Sequence, residues 1–110
     1  MNDTNNKIRS LNDSFRRSLI FGGQTVLTAG VSALGTEAQT ALLSLVQTFE
    51  AFTSDNDPHG EHDFGAIDHA GVSYFWKIDY YDLAGRFASP DAASPAVTRR
   101  VLTIMRADEY

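Results

Sequence analysis

Between Asp55 and Gly65 the chain runs Asp-Asn-Asp-Pro-His-Gly-Glu-His-Asp-Phe-Gly, which places three Asp, one Glu and two His in eleven residues. Such a density of oxygen and nitrogen donors admits three chemistries: metal ligation, acid-base catalysis, or contact with a basic partner. The acidity is local. Residues 50–82 contain eight carboxylates against one lysine, a net −7 in a chain whose total is −5.

For calcium, Asp55, Asp57 and His59 before Gly60 resemble the opening of a loop with oxygen ligands at alternate positions and an obligatory glycine. The register then breaks, because the twelfth position is Ala66 where a bidentate Glu is required, and His59 offers nitrogen. A mixed-donor alternative uses His59, His62 and Asp63 for zinc or manganese, and with it a metal-dependent enzyme. Here His-x-x-His lies in a Pro/Gly loop and not on a helix that would fix both rings. For acid-base work, His59 or His62 would pair with Glu61, Asp63 or Asp79. No nucleophile elbow, phosphate loop, dinucleotide glycine motif or zinc-protease helix accompanies them, so no catalytic residue and no cofactor are assigned. The structural reading of the same residues is that Asp55-Asn56-Asp57-Pro58 form a self-capped turn, in which Asp and Asn side chains accept bonds from backbone N–H groups two residues on.

The elements that must position this loop are legible on either side. Ile8, Leu11, Phe15 and Leu19 recur at helical spacing, with Lys7, Arg9, Arg16 and Arg17 off the stripe, and Gly22-Gly23 is expected to end that helix. Gln24 to Thr28 suits a short strand, followed by a loop through Gly30 and Gly35. Thr36 and Gln39 match a capping box, and Ala38, Leu42, Leu45, Val46 and Phe49 form a second helical stripe ending near Phe52. Phe64 to Asp68 and Val72 to Asp82 read as a hairpin turning at His69-Ala70-Gly71. In its second strand Val72, Tyr74, Trp76, Ile78 and Tyr80 share the face expected to be core, while Phe75, Lys77, Asp79 and Tyr81 share the other. Leu83 to Ser94 is a loop, Ser94-Pro95 caps one helical turn, and Arg99 to Arg106 is a last strand. Arg16, Arg17, Arg99 and Arg100 are expected to be solvated or paired with the acidic loop. The predicted fold is α+β, with two helices packed on one face of a small, mainly antiparallel sheet of three to four strands.

At 110 residues the chain suits one domain spanning 1–110, burying roughly two-thirds of its unfolded surface, with the polar residues 1–5 expected to be disordered. It has no cysteine, which removes disulfides and thiolate chemistry. Neither a secretory signal nor a membrane anchor is visible, so a cytoplasmic protein without membrane contact is expected. A pI near 4.9 disfavours direct nucleic-acid binding and favours basic protein partners.

Taken together, Asp55 to Gly65, Phe75-Trp76-Lys77-Ile78-Asp79-Tyr80-Tyr81-Asp82, Arg100 to Met105, Ile8 to Asp13 and Leu27 to Val31 resemble a small uncharacterised bacterial family. That family is found mainly in proteobacteria, often on plasmids and other mobile elements, and is known as a domain of unknown function. The resemblance covers nearly the whole chain and carries over no site residue. It implies, by analogy, a counter-defence protein of the anti-CRISPR or anti-restriction type, which binds a CRISPR effector subunit or restriction enzyme and blocks its DNA-binding surface. The expected contact surface is Asp55, Asp57, Glu61, Asp63, Phe75, Asp79, Tyr81 and Asp82, whose carboxylates would take the place of DNA phosphates on a basic host protein.

Overall fold

The computed structural model describes residues 3–110. Its first element is helix α1 (Asp3–Ser18), which takes in residues 3–5 of the segment expected to be disordered; Met1 and Asn2 lie outside the described residues. Ile8 and Phe15 point inward as their spacing requires. The helix ends before Gly22-Gly23. Leu19 takes the left-handed conformation (φ 62°) that usually falls to glycine, and the Ser18 hydroxyl accepts the N–H groups of Ile20 (3.2 Å) and Phe21 (2.9 Å).

Strand β1 (Gln24–Leu27) leads into a short helix α2 (Ala29–Ser32), where an open loop was expected, and then into α3 (Thr36–Gln47). The capping box is not formed. Gly35 is the N-cap and contributes no side chain, while Gln39 turns back to donate to the carbonyls of Ser32 (3.0 Å) and Leu34 (2.9 Å), tying α3 to the end of α2. Leu42 and Val46 are buried, but Leu45 is exposed, and Phe49 enters the core from beyond the helix end.

The hairpin of β2 (Phe64–His69) and β3 (Val72–Tyr81) turns on Ala70 and Gly71, both with positive φ (52° and 79°), the geometry that matches strand twist in a two-residue loop. Pro95–Val97 forms the expected single turn, a 3-10 turn, although Ser94 makes no side-chain cap. Strand β4 (Arg99–Arg106) completes a four-stranded sheet in the order β1-β4-β3-β2. Two of its three pairings are antiparallel, and β1 runs parallel to β4. The sheet is therefore mixed, within the predicted α+β class. Because β1 and β2 occupy opposite edges, α2, α3 and the acidic segment carry the chain across one face, and parallel pairing of β1 with β4 needs a crossover of that kind.

That face holds the core. Phe15, Val31, Leu42, Val46 and Phe49 pack on Tyr74, Trp76, Ile78, Leu102 and Ile104, each fully buried aliphatic side chain contributing about 1.5–3 kcal/mol. Among the described residues the opposite face carries no α-helix; the chain's last turn reaches it, where Tyr110 meets Phe75 (5.5 Å between ring centres) and Phe64 (6.3 Å). Among the described residues no helix is long and apolar enough to cross a membrane.

Candidate functional site: the acidic loop and its seat

The polar side of α1 seats the loop. Asn5, Arg9 and Asn12 lie on one side of the helix, and their side chains donate to three successive carbonyls, those of His59 (3.2 Å), Gly60 (3.3 Å) and Glu61 (3.0 Å). One turn further, Asp13 accepts from His62 Nδ1 (2.9 Å) and Arg16 Nη2 (3.2 Å). The loop closes on itself as well. Asn56 accepts the Thr53 N–H (2.8 Å) and donates to the Ala51 carbonyl (2.9 Å), so the self-capped turn exists but Asn56 makes it, not Asp55.

Asp57 is corrected most clearly. Its side chain is only 6% exposed, where a contact surface was expected, because its carboxylate accepts the His62 N–H (3.1 Å) and lies 3.6 Å from His62 Nε2. His62 itself has φ 56°, a conformation costing a non-glycine residue about 1–2 kcal/mol. It is held there by the two carboxylates and by stacking flat on Phe52, with ring centres 3.7 Å apart. Both ring nitrogens thus face carboxylates of the fold. Those carboxylates are Asp13 and Asp57, where Glu61, Asp63 or Asp79 had been expected as the partner of a catalytic pair.

Behind the loop, Glu61 accepts the Tyr80 hydroxyl (3.0 Å), which also receives a bond from Asn12 (2.8 Å). Burial drives the Tyr80 phenol pKa well above its ordinary value. Asp63 is also raised, first by burial and then by the neighbouring Glu61 carboxylate. His59, by contrast, is exposed. The ligand set His59, His62 and Asp63 is therefore not assembled, and among the described residues no three His, Asp or Glu side chains converge in a way that could hold a metal.

The remaining expected contact residues divide between places. Asp55 is exposed on the loop. Phe75, Asp79 and Tyr81 lie on the sheet face that carries no helix, half-buried, with Asp79 3.0 Å from Lys77 and raising its pKa through that bond. Asp82 bonds inward, accepting the N–H groups of Arg86 (3.0 Å) and Phe87 (3.4 Å). The carboxylates of residues 50–82 thus form no single surface.

Two arginines expected at the surface are buried. Arg16 is fully buried, with Nη1 donating to the carbonyls of Val46 and Phe49 (both 2.9 Å) beyond and at the end of α3, and with its guanidinium over the rings of Phe52 and Trp76. Arg100 donates to Asn12 Oδ1 (2.8 Å) and to the Ala92 carbonyl and lies over the Tyr80 ring, its pKa lowered by burial. The signal for Asn12 was present, since it falls at helical spacing between Ile8 and Phe15, where a polar residue needs a buried partner; Arg16, read as off the stripe, follows four residues later and is buried with it.

These features define a two-layer α+β domain with an internally braced acidic loop. Residues 27–109 match the family described as a protein of unknown function (DUF3768), and the chain belongs to that family. No curated protein and no solved structure matches it.

Proposed function

We propose that this protein acts by binding a basic protein partner and not by catalysis. The observation that carries this reading is the one-sided packing of the sheet: among the described residues the α-helices cover the face of Trp76, and Phe64, Phe75, Asp79 and Tyr81 stand half-exposed on the other. Aromatic rings beside charged groups, on rigid strands, suit an interface in which apolar anchors supply affinity and carboxylates select the partner. Asp55 on the loop and the exposed Asp68 on β2 add negative charge outside that patch. Asp57 and Glu61 take a different part, bracing the loop.

The finer reading is that the partner is a DNA-targeting defence protein of the host, a CRISPR effector or restriction enzyme, whose DNA-binding surface is occupied. Net charge of −7 over residues 50–82 supports it, since carboxylates compete for the Lys and Arg sites that hold phosphates. In a plasmid or phage interference assay, Phe75→Ala with Tyr81→Ala is expected to abolish inhibition while thermal unfolding stays cooperative. Full inhibition by the folded double variant overturns the binding surface; absence of any inhibition by the wild-type protein, across CRISPR and restriction systems, overturns the defence reading.

A further inference from the structure

A groove of about 590 Å³ opens where the end of α1, the Phe21–Gln24 turn, the start of β4 and the loop after β3 meet. Its size falls in the range of small-ligand sites, roughly 300–1,000 Å³. Leu11, Phe15, Phe21, Leu83 and Pro95 supply apolar walls. Two of these are unusually wet for their type, Phe21 at 76% and Leu83 at 63% exposure. At the floor Gly23 lets the backbone press against Phe15 and β4; a Cβ there would stand 2.6 Å from the Phe15 ring and 2.8 Å from the Arg100 carbonyl oxygen.

The groove is cationic on an acidic protein. Arg99 and Arg100 line it, and no Asp or Glu does. Arg99 is exposed and bonds the neutral Gln24 side chain (2.7 Å). Among the described residues neither arginine makes an ion pair, while Arg16, Arg17, Lys77 and Arg106 all do. Arg100 is held by neutral oxygens of Asn12 and Ala92. Apolar walls with a guanidinium that lacks a carboxylate call for a ligand with one negative group on an apolar body.

We propose that this groove is a binding site for a small amphipathic monocarboxylate, its aliphatic or aromatic body between Phe21 and Leu83 and its carboxylate on Arg99. The site borders the aromatic patch, because Arg99 pairs with Tyr81 across β3 and β4, but it does not depend on the partner reading. Octanoate, octanol and octylammonium serve as probes in an amide NMR titration of the full chain. Octanoate is expected to shift the amides of Phe21 to Gln24, Leu83 and Arg99 saturably and to bind about tenfold or more tighter than octanol, the ratio a charge-assisted bond supplies. Arg99→Gln is expected to bring the two affinities together, and Phe21→Ala to weaken both probes alike. Octanol or octylammonium binding as tightly as octanoate, shifts that do not saturate, or an undiminished octanoate preference in folded Arg99→Gln overturns the proposal.

Discussion

The two faces of β3 are built from alternate residues of one strand, yet they are held by different means. On the helix side Tyr74, Trp76 and Ile78 are sealed in the core. Even the charges there are enclosed, with Arg16 and Arg100 each bound to carbonyl or amide oxygens. On the other side Phe75, Lys77, Asp79 and Tyr81 rest on one another and on neighbouring strands, half-open to solvent. Burial is therefore concentrated on the helix side, with Met105, opposite Phe75, the buried exception on the other.

Adjacent residues test that contrast most sharply. Trp76→Ala is expected to cost about 3–5 kcal/mol in chemical denaturation, because a fully buried ring leaves a cavity beneath α3. Removing Asn12, which joins the loop, Tyr80 and Arg100, should cost about 1–3 kcal/mol by stranding buried donors and acceptors. Phe75→Ala, one position from Trp76, loses edge contacts with Phe64 and Tyr110 and should cost only about 1 kcal/mol. Equal losses for Phe75 and Trp76 would erase the distinction between the faces.

The smallest effects concern two carboxyl groups whose pKa shifts run in opposite directions. Asp63 is raised by burial and by Glu61, so the folded chain holds that proton to higher pH than the unfolded chain does. Stability then declines as pH rises from the ordinary Asp value through the raised one. Glu109 is lowered by the Arg106 N–H and by bonds from Thr28 and Gly30. Its contribution is complete above the ordinary Glu value and is lost as pH falls through the lowered one. Denaturation across acid pH should show Asp63→Asn removing the decline and Glu109→Gln removing the rise; curves parallel to wild type contradict both assignments.

How much of this was legible in the sequence depends on the range of the forces involved. The alternation in β3 separates Trp76 from Phe75 by local pattern alone, and β4 lies where Arg99 to Arg106 suggested. The open face could be suspected but not established, because the helices that cover a sheet are placed by crossover geometry. The buried arginines were misjudged since a guanidinium enters a core only when carbonyls of a distant segment await it, as those of Val46 and Phe49 await Arg16. The acidic loop misled for a similar reason. Its charge suggested one exposed surface, whereas Asp57 spends its carboxylate on His62 and the seat of the loop is a helix about fifty residues earlier.

The parallel pairing of β1 with β4, Gln24 opposite Val101 and Leu27 opposite Ile104, also sets an order of events during synthesis. At about 5–20 residues per second, β1 leaves the ribosome several seconds before its only ladder partner among the described strands. During that interval Ile20, Phe21 and Val26, which stay exposed even in the finished fold, have no strand beside them. The hairpin of β2 and β3 can form first from local contacts, and β4 must then join both it and the waiting N-terminal strand. Closure of the sheet is thus a late, long-range step, and crowding of nascent chains is the circumstance most apt to divert it.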